Sequence, residues 1–298
     1  MKHYFLNGDL VNRQVTVMLA GCGGTGSQIL SGLARMDVAL RALGHPGLDV
    51  LVFDGDGVSE ANVGRQLFSP SDIGRNKADV LCTRVNTFFG LGFKSMPYHL
   101  SSQNLPAIRA ASDSSLWRSL FDYRGPDLII SAVDSAKARI EINRFKSVYS
   151  LDCGNMKSSG QVILGTQRKV GQPTEKSDKK GQRRQMKGTI EFLPTVLDLY
   201  PDIEKQDKKS YQGPSCSVEA ALRKQDLLVN QWVATAALQI LWKALRQGYV
   251  EEHGAFLNLE TMSMRPLPVD PETWVRIGGK HLAKKKQYAK YLSAQRGK

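Results

Sequence analysis

Gly21, Gly23 and Gly26 stand in a G-x-G-x-x-G spacing, with Gly24 among them and Ser27 directly after. An apolar, β-prone run at 15–20 precedes them. Ile29, Leu30, Leu33, Met36 and Leu40 follow at helical spacing. Glycine at a strand-to-helix junction permits a tight turn and lets backbone N–H groups approach a phosphate. The helix N-terminus adds partial positive charge. A second apolar run, 48–53, ends in Asp54-Gly55-Asp56. An acidic residue at that place bonds ribose hydroxyls, the role expected of Asp54, while Asp56 caps or orients the loop. This much suits an NAD-dependent oxidoreductase as well as an enzyme that uses ATP.

The next polar residues weigh between the two. Asn62, Arg65, Gln66 and Lys77 follow the second strand. A hydride-transfer enzyme has no use for them there, and no suitably spaced His or Tyr–Lys pair is visible. A triphosphate does: Arg65 and Lys77 can neutralise the β- and γ-phosphates, and Asn62 can bond their oxygens. Asp134, expected at the end of a third parallel strand, is placed to hold Mg²⁺. A third reading is a non-catalytic, nucleotide-sensing module that binds DNA through basic segments. It calls for an incomplete phosphate set, whereas Asn62, Arg65, Lys77 and Asp134 are all present.

The elements that must position these residues read as strand (15–20), helix to about Leu43, and strand (48–53). A helix at 76–89, a strand at 97–101 and a short helix at 114–121 follow. Next come a buried strand at 127–133 and a helix at 136–149. Strands are expected at 150–153 and 160–166, the second antiparallel. A long apolar helix spans 226–247, interrupted by Asn230 among others, and a strand or hairpin spans 254–267. The βαβ start implies a parallel sheet. The fold class is α/β: a Rossmann-like doubly wound parallel sheet extended by antiparallel strands in the C-terminal half. One domain is expected over 1–272.

The chain has 298 residues, 41% hydrophobic and 23% charged, a globular composition. No run of about 18 uncharged apolar residues is present, so no membrane span is expected. No apolar leader core follows Met1, and a cytoplasmic location is expected. The net charge of +13 is localised. Residues 168–187 carry +6 and residues 273–298 carry +8, leaving the rest at −1. The first is expected to be a mobile basic loop and the second a basic tail, with nucleic acid a less favoured ligand of either. None of the four cysteines forms a C-x-x-C pair, which excludes a four-cysteine zinc site. Cys22, Cys82 and Cys153 read as filler. Cys216, in Gly213-Pro214-Ser215-Cys216-Ser217 near Lys208 and Lys209, is the candidate reactive thiol.

Taken in order, these residues resemble the ThiF/MoeB/ubiquitin-activating family of adenylating enzymes. The resemblance rests on Gly21 to Ser27, Asp54-x-Asp56, Ser59-x-x-Asn62-x-x-Arg65-Gln66, Lys77, Asp134, Gly160-Gln161-Val162 and Cys216. With Ser215-Cys216-Ser217-Val218-Glu219 and Lys224-Gln225-Asp226, the chain is most similar to the ThiF proteins of PRTRC gene clusters. The resemblance implies ATP and Mg²⁺, with a ubiquitin-like protein ending in glycine as partner. Its C-terminal glycine would be converted to an acyl-adenylate and passed on to Cys216. Nucleotide contacts from Gly21, Gly23, Gly24, Gly26, Ser27, Asp54, Asp56, Asn62, Arg65, Gln66 and Lys77 follow, as do a homodimer and a crossover loop at 168–187.

Overall fold

The computed structural model of the chain describes residues 2–111, 125–175, 184–186, 188–205, 219, 222–223 and 225–284. The elements run β1 (Tyr4–Phe5), β2 (Val15–Ala20), α1 (Gly24–Ala42), β3 (Leu48–Phe53), α2 (Lys77–Phe89), β4 (Lys94–Met96) and α3 (Leu105–Ala111). They continue with β5 (Leu128–Ser131), α4 (Ala136–Ile142), β6 (Tyr149–Asn155), β7 (Ser159–Thr166), β8 (Thr174–Glu175) and β9 (Arg184–Gln185). The last are α5 (Val196–Leu199), α6 (Val229–Gln247), β10 (Tyr249–Val250), β11 (Glu252–Asn258), β12 (Ser263–Pro268) and α7 (Pro271–Lys284).

Eight strands form one sheet in the order β12-β11-β7-β6-β5-β2-β3-β4. Strands β6, β5, β2, β3 and β4 are parallel, while β7, β11 and β12 extend the sheet antiparallel. Strands β2, β3 and β5, inside the sheet, are buried almost throughout, which is why they read as apolar runs. Val15, Val17 and Leu19 face one core with α1, α2 and α6. Met18 and Ala20 face a second core with Ile108 of α3 and Ile142 of α4. Each fully buried aliphatic side chain contributes about 1.5–3 kcal/mol.

Chain order reverses at β2, which pairs with β3 on one side and β5 on the other. Such a switch point opens a crevice at the carboxyl ends of the strands. The opposite end is stapled by ion pairs. Arg13 grips both Asp127 oxygens at 2.7 and 2.5 Å. Asp37 accepts from Arg41 Nε at 2.8 Å and from the Leu48 amide at 2.6 Å, tying the end of α1 to the start of β3.

The structure departs from the sequence reading in several places. The strand expected at 97–101 lies at Lys94–Met96, because Pro97 has no N–H for the ladder to β3. The helix expected at 136–149 ends at Ile142, so that β6 can begin at Tyr149 beside β5. Within 168–187, expected to be loop, β8 and β9 form a two-residue antiparallel pair. Gln172 there exchanges two hydrogen bonds with the Phe5 backbone at 3.0 and 2.9 Å. Helix α7 starts at Pro271, next to the domain edge expected at 272. Its Trp274 is fully buried beside Phe192 and His253 and donates to the Pro268 carbonyl at 3.0 Å. The lysine count of that segment masks its apolar stripe. The helix expected at 114–121 lies outside the described residues. Among the described residues, no helix is long and apolar enough to cross a membrane.

Candidate functional site

A cleft of about 730 Å³ opens at the carboxyl ends of β2, β3 and β5. Its back wall is the glycine turn. Gly21 has φ +95°, and a Cβ there would stand 2.6 Å from the Ala132 carbonyl oxygen. A Cβ on Gly26 would overlap the Gly21 carbonyl, so both positions are closed to any side chain. Gly23 is the N-cap of α1 and offers no side-chain cap, and Gly23, Gly24 and Thr25 of this helix start line the cleft.

Asp54, at the end of β3, is buried. One carboxylate oxygen accepts from the Cys22 amide at 2.6 Å and the other from the Asp56 amide at 2.8 Å. Burial pushes its pKa up, and these hydrogen bonds pull it back. Lys77, the first residue of α2, is buried and reaches Asp56 Oδ2 at 3.1 Å. The Asn76 side chain staples the two loops by donating to the Asp54 and Asp56 carbonyls at 2.8 and 3.2 Å.

Arg65 lines the cleft half-buried and forms no ion pair among the described residues. Its Nη1 donates to Gln225 Oε1 at 3.1 Å, and its buried Nε has no partner. Burial lowers the pKa of this guanidinium. Gln66 beside it is buried with Oε1 unpartnered. Asp134, past the end of β5, is exposed on the cleft rim without a described partner. Around this cleft, then, the switch point gathers a lysine, a helix N-terminus, and a guanidinium and a carboxylate that have no ion-pair partner among the described residues. Such an arrangement can accommodate an anionic ligand and a cation.

Residues 7–273 match the ThiF family. The chain belongs to the ThiF family. Over 247 residues it is 26% identical to ubiquitin-activating enzyme E1 1 of Candida albicans (strain WO-1), covering 82% of this chain and 19% of that one. The chain thus spans about a fifth of the length of that curated relative. The crystal structure of E. coli MccB with ATP is similar with a TM-score of 0.52 at 13% identity, covering 87% of this chain and 66% of that one. Selenomethionine PaaA is similar with a TM-score of 0.51 at 15% identity, covering 87% and 74%. At these identities the structural likeness establishes the shared fold.

In this ThiF-family chain, Gly21, Gly23, Gly24, Asp54, Asp56, Arg65, Gln66, Lys77 and Asp134 all line the cleft. Gly26 and Ser27 lie behind its wall, and the Ser27 hydroxyl donates to the Gly24 carbonyl at 3.1 Å. Asn62, expected to bond phosphate oxygens, does not line the cleft. Its Oδ1 accepts from the Ser59 amide and hydroxyl at 2.9 and 3.1 Å, closing the turn that carries Arg65. Cys216 lies outside the described residues, and Cys22, Cys82 and Cys153 are buried. Asp54, Asp56 and His99 each bring one ligand atom within 4.8 Å of the others. Both Asp54 oxygens already hold backbone amides, so Asp134 is the freer cation ligand. Sequence reading did not assign cleft positions to Thr25, Asn155, Gln225 or Asn230. Thr25 and Gln225 lay within quoted motifs, and Asn230 is the one polar residue on the buried face of its helix.

Proposed function

We propose that the chain adenylates the C-terminal glycine of a ubiquitin-like protein. A carboxylate is a poor acyl donor. Attack of its oxygen on the α-phosphate of ATP forms the acyl-adenylate and breaks the bond to pyrophosphate, which leaves. The attacking group is already ionised, so no general base is needed. Negative charge grows on the leaving pyrophosphate, and the barrier falls where fixed positive groups await it.

The observation that carries this reading is a partly buried Arg65, with no ion pair among the described residues, in one cleft with the N-terminus of α1, which has no side-chain cap. Lys77 is held nearby by Asp56 and adds a second cation. Asp54 and the glycine turn suit the ribose and α-phosphate end of the nucleotide, since each carboxylate oxygen keeps a lone pair for a hydroxyl. Asp134, without a partner among the described residues, would hold Mg²⁺, which when bound draws charge from the phosphates. The match to a ubiquitin-activating enzyme supports a ubiquitin-like partner, and the residues at 215–219 and 224–226 support a place among PRTRC-cassette ThiF proteins. A homodimer and transfer of the acyl group to Cys216 complete the proposal.

ATP–pyrophosphate exchange tests it. Exchange is expected with ATP, Mg²⁺ and a ubiquitin-like protein ending in glycine, and not when that glycine is removed. Tighter binding of NAD than of ATP, with no exchange, would sink the reading.

A further inference from the structure

We propose that Gln225 and Asn230 are positioning residues that hold the Arg65 guanidinium beside the first turn of α1 without adding a countercharge to it. The cleft thereby selects ligands by phosphate charge. This rests on the nucleotide-binding part of the proposed function.

The holding device is a branched hydrogen-bond network assembled from four separate segments. Asn230 Oδ1 accepts from Thr25 Oγ1 at 2.9 Å and from Asn155 Nδ2 at 2.6 Å. Asn155 Nδ2 also donates to Thr25 Oγ1 at 2.9 Å. With its oxygen fixed, Asn230 must point its amide nitrogen outward, and Nδ2 donates to Gln225 Oε1 at 2.9 Å. Gln225 Oε1 therefore receives two donors, Asn230 Nδ2 and Arg65 Nη1. Turning the Gln225 amide over would set its own NH₂ against both, so its orientation is determined. Asn230 is buried and presses on the phosphate turn, since a Cβ on Gly24 would stand 2.5 Å from Asn230 Nδ2.

The chemistry of the support matters. A carboxylate at position 225 would grip a guanidinium more firmly, as charge-assisted pairs do, but would also neutralise it. An amide oxygen orients the same group and leaves its full charge facing the cleft. Arg65 meets no carboxylate among the described residues, and its buried Nε is without an acceptor. A partly desolvated cation left in this state is stabilised when an anion arrives and gains nothing from an uncharged ligand. The geometry thus assigns phosphate charge, rather than base or sugar, as the feature this corner recognises.

The test uses the full chain with MgATP and adenosine as probes, each measured by calorimetry, and thermal melting as the check on folding. Gln225→Glu is near-isosteric and keeps the acceptor but pairs with Arg65. It is expected to bind MgATP about tenfold or more weakly, with adenosine affinity and melting unchanged. Gln225→Met fills the space without an acceptor and is expected to weaken MgATP selectively by a similar factor. Should the glutamate variant fail to fold, the methionine variant alone decides. MgATP affinity equal to wild type in the folded variants overturns the proposal, as does wild type that favours MgATP no more than adenosine. Wild type that binds MgATP selectively but performs no pyrophosphate exchange refutes the adenylation reading and leaves this inference standing.

Discussion

The Cys22 amide donates to Asp54 Oδ2 at 2.6 Å, so the carboxylate at the end of β3 is the latch of the glycine turn at the end of β2. The second carboxylate oxygen holds the Asp56 amide. Asp54→Asn cannot serve both donors, because one amide N–H would then face an NH₂ group. A loss of about 1–3 kcal/mol in unfolding free energy is expected, together with weaker ATP binding. Denaturant unfolding measures the first. An unchanged midpoint would show that the latch carries no stability.

Asp134→Asn separates fold from chemistry. The side chain is exposed and unpartnered among the described residues, so melting should be unaffected. Loss of its charge should reduce pyrophosphate exchange by about a hundredfold, with the Mg²⁺ concentration for half-maximal rate raised. Exchange at the wild-type rate and Mg²⁺ dependence would remove Asp134 from the site.

His253 gives the molecule an acid-sensitive seam under α7. It is fully buried, its Nδ1 donates to the Leu164 carbonyl at 2.7 Å, and Nε2 has no partner among the described residues. Burial lowers its pKa from 6.5 to about 4, because protonation would create a buried N–H with no acceptor. The unfolded chain takes up a proton near pH 6.5 that the folded chain refuses. Stability is therefore full above pH 6.5 and declines as pH falls towards 4, by about 2 kcal/mol at pH 5. His253→Gln keeps a donor but does not titrate. Its urea midpoint should fall less than that of wild type between pH 7.5 and 5, and parallel curves would contradict the assignment.

Cys216→Ser tests the transfer step. Adenylation precedes transfer, so exchange should remain within about twofold of wild type while any reductant-sensitive complex with the ubiquitin-like partner disappears. Persistence of that complex would place the acceptor thiol elsewhere.

The parallel half of the fold was legible because its signals are local. Apolar runs, a glycine turn and helical spacing lie within 15–53, and Asn76 caps α2 next to Lys77. The misses have equally physical causes. Asn62 sits in the right motif, but a short turn needed its oxygen more than the cleft did. The α7 helix hid because two buried side chains, Trp274 and Leu282, hold down a segment whose composition is dominated by charge. The support of Arg65 hid because it joins residues 160 positions apart, a distance over which no periodicity speaks.

That separation also orders events during synthesis. The glycine turn, Asp54, Arg65 and Lys77 are all made before the chain reaches Asp134, whereas Gln225 and Asn230 emerge far later. At roughly 5–20 residues per second, the interval between Arg65 and Gln225 lasts about 10–30 s. During it the N-terminal βαβ unit can fold while its arginine has no partner to aim it. A ribosome-bound or truncated chain ending before residue 225 would carry most of the glycine-turn motif and yet lack the amide that aims Arg65. If Gln225 and Asn230 act as proposed, the last quarter of the chain decides when the motif matures.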